Sequence, residues 1–200
     1  MGRKELRKRK IWQDISGTNA GVAEKSFYEV FKDLFKGTNF RIRPKPQEFK
    51  NIYLNVKLDK DILAQIYNIP KEKIKKHGIV PDYAIDNMDT KKTIYIEVKR
   101  QDGWVEGKQR KAGRGNAHER SNKFFTPGLL EELRKKGKLG KKNLPFWVIF
   151  QGDITRDPCR VREVTLWYGK HSAHFFMWRN QKDITPLINH FNNHIKPLLL

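Results

Sequence analysis

The chain has 200 residues, 38% of them apolar, which suits one domain with a real hydrophobic core. Its 42 Lys and Arg against 22 Asp and Glu give a formal charge of +20, so a polyanionic partner is expected, nucleic acid first. No apolar run approaches transmembrane length and the basic N-terminus lacks the apolar core of a signal peptide; a single cysteine, Cys159, excludes an intrachain disulfide and a thiolate metal cluster, so the chain reads as cytosolic.

Residues 1–10 carry six basic side chains and read either as a frayed, solvated tail or as an arm lying along phosphates. Over residues 21–36, Val22, Phe27, Val30, Phe31, Leu34 and Phe35 recur at helical spacing, with Gly37 as the stop signal. Glu24 falls on the first turn of that helix, where compensation of the helix dipole explains a carboxylate better than a role as an outer metal ligand. Residues 51–58 read as extended, 59–68 as a short helix before Pro70, and 79–87 as a strand. The polar NMDTKK that follows is a turn, after which Ile94, Ile96 and Val98 alternate with Thr93, Tyr95, Glu97 and Lys99 as a second strand.

Residues 100–116 (RQDGWVEGKQRKAGRGN) form a long basic loop rich in glycine, a kind of segment that is usually functional or mobile. A helix is expected to start near Ala117 and another at Thr126-Pro127, where proline suits the first helical position. The apolar run 144–150 (LPFWVIF) predicts a central strand covered on both faces. Asp157-Pro158 opens a further helix, 173–178 a further strand, and Thr185-Pro186 a C-terminal helix with Leu187, Ile188, Phe191 and Ile195 on its apolar face. With no repeat and no linker, the expectation is one α/β domain over residues 1–200, a mixed central β-sheet flanked by helices. Trp104, Trp147, Trp167 and Trp178 read as packing residues, because duplex DNA offers no exposed base faces to stack on. His190 and His194 are one helical turn apart, a spacing open to a transition metal but with no accompanying glutamate motif, and Cys159 reads as structural or incidental.

The two strands joined by that turn carry the chemistry. A hairpin brings Asp82 across to Glu97, and Lys99 stands beside Glu97 on the same strand face, roughly 7 Å along by the strand rise. Two carboxylates, one lysine and a substrate phosphodiester sum to minus two, and each like-charge contact near 4 Å costs roughly 1 to 4 kcal/mol in a wet site. One divalent cation with oxygen ligands, Mg2+ above all, cancels that excess, with Asp82 and Glu97 as ligands. The metal would polarise the phosphate and help generate hydroxide, while Lys99 would orient the water or stabilise developing charge. The competing reading is the solvated polar face of a half-buried strand.

A second constellation is GRGNAHERS, residues 113–121. Gly113 and Gly115 permit close backbone approach, Arg114 suits the O6 and N7 of guanine, and Asn116 suits the N6 and N7 of adenine. Arg120 adds another guanidinium fork, and Glu119 can accept from a base amino group or hold Arg120 in place. His118 reads either as a donor to a base or phosphate or as an ordinary surface residue at a helix start. The bland reading of the whole segment is a basic loop ending in a helix cap.

PDYAI, EVKRQDGWVEGK, AGRGNAHERS, FTPGLL, LPFWV and GDITRDP closely resemble the MunI-like type II restriction endonucleases, in the EcoRI-like branch of the PD-(D/E)XK nuclease superfamily, over nearly the whole chain. The resemblance implies a restriction-endonuclease-like fold and a catalytic triplet of Asp82, Glu97 and Lys99. It further implies an AATT core read by Asn116, Ala117, His118, Glu119 and Arg120, together with Gly115. Arg114 departs from the EcoRI pattern, which favours CAATTG, cut after the first C to leave 5′-AATT overhangs. A palindromic site implies a homodimer on double-stranded DNA, and a protective methyltransferase is the expected genetic partner. Residues 40–78, 131–143 and the C-terminus resemble the family less. The other readings are a related nuclease with a different outer base pair and a non-catalytic basic nucleic-acid-binding protein.

Overall fold

The apolar alternation of the central segments produces a sheet with two covered faces. The computed structural model of the protein describes residues 3–66, 74–109 and 116–200. Among these, β1 (Phe40–Pro44), β2 (Tyr83–Asn87), β3 (Thr93–Arg100), β4 (Phe146–Gln151) and β5 (Phe175–Trp178) form one mixed sheet in that order. β1–β2 and β2–β3 are antiparallel pairs, whereas β3–β4 and β4–β5 are parallel pairs. The parallel pairs need crossovers, and the helices supplied by those crossovers cover one face of the sheet. The strand over 144–150 is central as expected and begins two residues later; those over 79–87 and 173–178 are likewise trimmed at their starts.

On one face Ile42, Tyr83, Ile85, Ile94, Ile96, Val98, Trp147 and Ile149 pack against Ala23, Phe27 and Phe31 of α1 (Arg3–Leu34) and Phe35 just beyond it. Leu187 of α5 (Thr185–His190), the π-helical turn Phe191–Ile195 and Leu199 of α6 (Lys196–Leu199) complete that layer. On the other face Ala84, Tyr95, Phe146, Val148 and Phe150 meet Leu133 of α3 (Pro127–Gly137) and Val164 and Tyr168 of α4 (Pro158–Tyr168). A 3-10 helix over Ala117–Phe125 joins this layer through Phe124, whose ring lies 5.3 Å from Phe146. Trp147, Trp178 and Trp167 are packing residues as expected, the last stacked on His118 at 5.4 Å.

Several elements differ from the sequence expectation. Helix α1 begins at Arg3, so residues 3–10 are its opening turns in place of a frayed tail, and Gly17 and Gly21 lie inside it. An isolated glycine costs a helix only about 1 kcal/mol, which burial of the Phe27–Phe31–Phe35 face outweighs. The segment 51–58 is a short 3-10 helix, Ile52–Asn55, flanked by irregular chain, in place of an extended run. Helix α2 (Lys60–Ile66) agrees with the short helix expected over 59–68, of which residues 67 and 68 lie outside the described residues. The helix near Ala117 is 3-10 and not α. Asp157 caps α4, accepting from the Cys159 amide at 3.2 Å, while Cys159 itself is exposed. His190 Nε2 donates to the Ala173 carbonyl at 2.8 Å and its ring stacks on Trp147, which gives His190 a packing role.

A buried histidine ties stability to pH. His174 Nδ1 donates to the Phe146 carbonyl at 3.0 Å, and its Nε2 accepts from the Leu144 amide at 3.4 Å, an arrangement open only to the neutral ring. Burial, against the opposing Phe146 bond, pushes its pKa from 6.5 down to about 4. The unfolded chain therefore binds a proton first, so stability is full above pH 6.5 and falls as the pH drops toward 4, by up to about 3 kcal/mol. Denaturant titrations at pH 7 and pH 4.5 are expected to show that loss, and a His174→Gln variant to show less of it. An equal pH slope in both proteins would exclude this origin.

Candidate active site

The end of β3 is where charged side chains enter an otherwise apolar layer. Because residues alternate along β3, Glu97 and Lys99 share the face of Tyr95, and Asp82, immediately before β2, falls on the same face. That face is not solvated: Glu97 is 5% and Asp82 7% exposed. Lys99 Nζ donates to Glu97 Oε1 at 2.6 Å and stands 3.9 Å from Asp82 Oδ2. Asp82 Oδ2 accepts from the Val98 amide at 2.9 Å, which fixes the carboxylate against the strand that carries its two partners. The three residues singled out in the sequence therefore converge. Burial raises the Glu97 pKa, with Asp82 adding to the rise and Lys99 opposing it.

Two further groups complete the cluster. Lys45 Nζ lies 2.8 Å from Asp82 Oδ1 and 2.8 Å from Glu24 Oε2. Its amide donates to the Asp82 carbonyl at 2.9 Å, extending the β1–β2 pairing one step, and its backbone is left-handed at φ 44°. Burial alone would lower the Lys45 ammonium; the hydrogen bonds to Asp82 and Glu24 outweigh it and hold the group above the ordinary lysine range. Glu24 is not at a helix N-terminus, since α1 starts at Arg3, so the dipole role expected for it is replaced by an ion pair with Lys45. Sequence reasoning missed Lys45 and β1 together. The signal was Phe40, Ile42 and Pro44 alternating with Arg41, Arg43 and Lys45, a strand pattern that puts the three cations on the face of Asp82 and Asp86.

A divalent cation fits this donor set. Glu97 Oε2 is buried and has no hydrogen-bond partner among the described residues, so one hard oxygen at the centre of the site awaits a positive ligand. Asp82 and Glu97 would hold the ion. A second group, His118, Glu119 and Glu163, brings potential ligand atoms within 4.8 Å of one another. It reads as packing: His118 is fully buried, its Nδ1 is 2.9 Å from Gln101 Oε1 and its Nε2 3.3 Å from Glu163 Oε2, and Arg160 holds Glu163 at 2.6 Å.

The segment expected to read DNA bases is divided by the fold. Arg114 and Gly115 lie outside the described residues. Asn116, Glu119 and Arg120 expose their side chains, and Ala117 starts the 3-10 helix. His118 is neither a surface residue nor a base donor, because both ring nitrogens are engaged inside the protein. It ties the segment to Gln101, two residues beyond Lys99. The first part of the preceding loop is tied down as well: the Gly103 amide donates to Asp153 Oδ2 at 3.0 Å and the Glu106 amide to Asp157 Oδ1 at 3.4 Å. Arg100, Arg156, Arg179 and Lys182 line a cleft at the C-terminal ends of β3, β4 and β5, a basic surface of the kind that suits phosphates. No helix among the described residues is long and apolar enough to cross a membrane.

Comparison with known proteins agrees with this architecture. The family described as Type II restriction enzyme MunI matches residues 1–200. The type II restriction enzyme MunI of Mycoplasma sp is 47% identical over 201 residues, covering 100% of both chains. The crystal structure of MunI restriction endonuclease in complex with cognate DNA superposes with a TM-score of 0.80 at 47% identity, over 94% of this chain and 97% of that one. The fold is thus shared with a nuclease over nearly the whole of both chains, and the chain belongs to the MunI family of type II restriction enzymes, site-specific DNA endonucleases.

Proposed function

We propose that the protein binds double-stranded DNA as a homodimer and hydrolyses one phosphodiester per strand at CAATTG, after the first C, leaving 5′-AATT overhangs. The observation that carries this reading is the convergence of Asp82, Glu97 and Lys99 on one buried strand face, next to a segment that exposes Asn116, Glu119 and Arg120. Asp82 and Glu97 would hold Mg2+. When bound, that ion polarises the phosphate and lowers the pKa of a water molecule. The Val98 amide keeps Asp82 oriented, and burial excludes bulk water from Glu97. Lys99, already donating to Glu97, places an ammonium where the attacking water loses its proton and where negative charge develops on the phosphate.

Base reading falls to Arg114 for the outer guanine and to Asn116, Ala117, Glu119 and Arg120 for the AATT core, with Gly115 allowing close approach. His118 positions that segment from inside the protein. A palindrome read one half-site per subunit requires a twofold dimer, and a cognate methyltransferase would protect the host's own sites in a prokaryotic cytoplasm.

Incubation of a plasmid carrying one CAATTG with protein and Mg2+, followed by sequencing of the ends, tests the whole reading. Linearisation at that site with 5′-AATT ends is expected; cutting elsewhere would displace the specificity, and an intact plasmid the activity. In the same assay Arg114→Ala is expected to lose about 1 to 3 kcal/mol of discrimination at the outer pair, roughly 5- to 150-fold in relative rate. Unchanged selectivity would remove Arg114 from that role.

A further inference from the structure

Both oxygens of Asp82 are already engaged: Oδ2 by the Val98 amide at 2.9 Å and Oδ1 by Lys45 Nζ at 2.8 Å. A cation that takes Asp82 through Oδ1 must share or replace the Lys45 contact, and one that takes Oδ2 still meets the Lys45 ammonium across the same carboxylate. Glu24 accepts from the same ammonium at 2.8 Å, so Lys45 is bridged between a carboxylate inside the site and one on α1. Its side chain is half-exposed while that of Asp82 is nearly buried, which leaves the lysine free to withdraw and the aspartate fixed. The left-handed backbone at Lys45 and its amide bond to Asp82 hold the stem of the lysine beside the site whichever carboxylate its tip contacts.

We propose that Lys45 is a resident counter-ion of the active site, which the catalytic metal displaces from Asp82, and that Glu24 is the carboxylate to which it withdraws. Charge supports the exchange. Glu24, Asp82 and Glu97 carry three negative charges against two on Lys45 and Lys99, so the DNA-free cluster is nearly balanced without a metal. A divalent ion entering beside an unmoved Lys45 would meet an ammonium 2.8 Å from its own ligand oxygen. Lys45 thus weakens metal binding in the free protein, and Glu24 lessens that penalty by giving the lysine a second partner. This inference rests on the reading of Asp82 and Glu97 as metal ligands.

Mn2+ binding to the full-length, DNA-free protein, followed by the spin-resonance signal of free Mn2+, is the test. Lys45→Met is expected to tighten binding by roughly tenfold or more, since it removes a cation in contact with a ligand oxygen. Glu24→Gln should weaken binding several-fold in the parent, because Lys45 then holds to Asp82 alone. In the Lys45→Met background the same change should alter affinity by less than about twofold, since the carboxylate acts through the lysine. Unchanged or weaker binding by Lys45→Met overturns the proposal. So does a Glu24→Gln effect of equal size in both backgrounds, the result of a through-space field alone. Asp82→Asn tests the premise separately: it should abolish the site, and Mn2+ bound as before would overturn the ligand assignment whatever Lys45 does.

Discussion

Glu97→Gln is expected to reduce the single-turnover rate of plasmid cleavage by on the order of a thousandfold or more, with site-specific DNA binding retained. The substitution keeps the shape of the side chain and removes its charge. Glu97 Oε2 is buried with no partner among the described residues, and Glu97 Oε1 is the acceptor that orients Lys99 at 2.6 Å, so one change removes the proposed metal ligand and releases the lysine. Binding should persist, because losing a carboxylate beside a phosphate lowers repulsion. Asp82→Asn should behave alike, as Asp82 is pinned by the Val98 amide in the same cluster. Cleavage within tenfold of the parent would remove Glu97 from the reaction. Loss of DNA binding together with cleavage would instead point to a structural role.

The largest expected loss of stability comes from Trp147→Ala, about 3 to 5 kcal/mol, lowering the melting temperature by on the order of 10 °C. Trp147 is fully buried on β4, with ring centroids of Phe27 and Phe31 at 5.9 Å, Phe191 at 6.3 Å and His190 stacked at 5.6 Å. Its removal opens a cavity between α1, the sheet and the C-terminal helical turns, where three elements must move together to refill it. Trp147→Phe should cost far less, both because it keeps most of the contact and because it deletes an Nε1–H with no partner among the described residues. Denaturant unfolding of both variants checks the pair. A loss below about 1 kcal/mol for alanine would mean that the layer repacks freely.

The pattern Ile94, Ile96, Val98 against Tyr95, Glu97, Lys99 was legible because strand alternation is a local property. A turn of known polarity then placed Asp82 across from Glu97. The run LPFWVIF announced a buried strand, and Asp157-Pro158 announced a helix start, for equally local reasons of hydrophobic continuity and capping. The start of α1 was not legible. Gly17 and Gly21 look like breaks when only neighbours in sequence are weighed, whereas the Phe27–Phe31–Phe35 face is held by Trp147 and Phe191, more than a hundred residues away. The same error misplaced Glu24, which was assigned to a helix end that the fold puts elsewhere.

His118 shows where local reasoning stops. Within GNAHERS nothing distinguishes a histidine that faces DNA from one that faces the core; only the placement of Gln101, Glu163 and Trp167 decides it. Lys45 is a similar case, since its ion pairs join β1, α1 and the residue before β2. The sequence by itself determined the chemistry available: two carboxylates and a lysine on one strand face, a basic chain suited to a polyanion, and a glycine-flanked string of hydrogen-bonding side chains. Tertiary structure alone decided which charges meet and which are buried. Ion pairing and desolvation act between groups distant along the chain, and their strength depends on distances and burial that only packing sets.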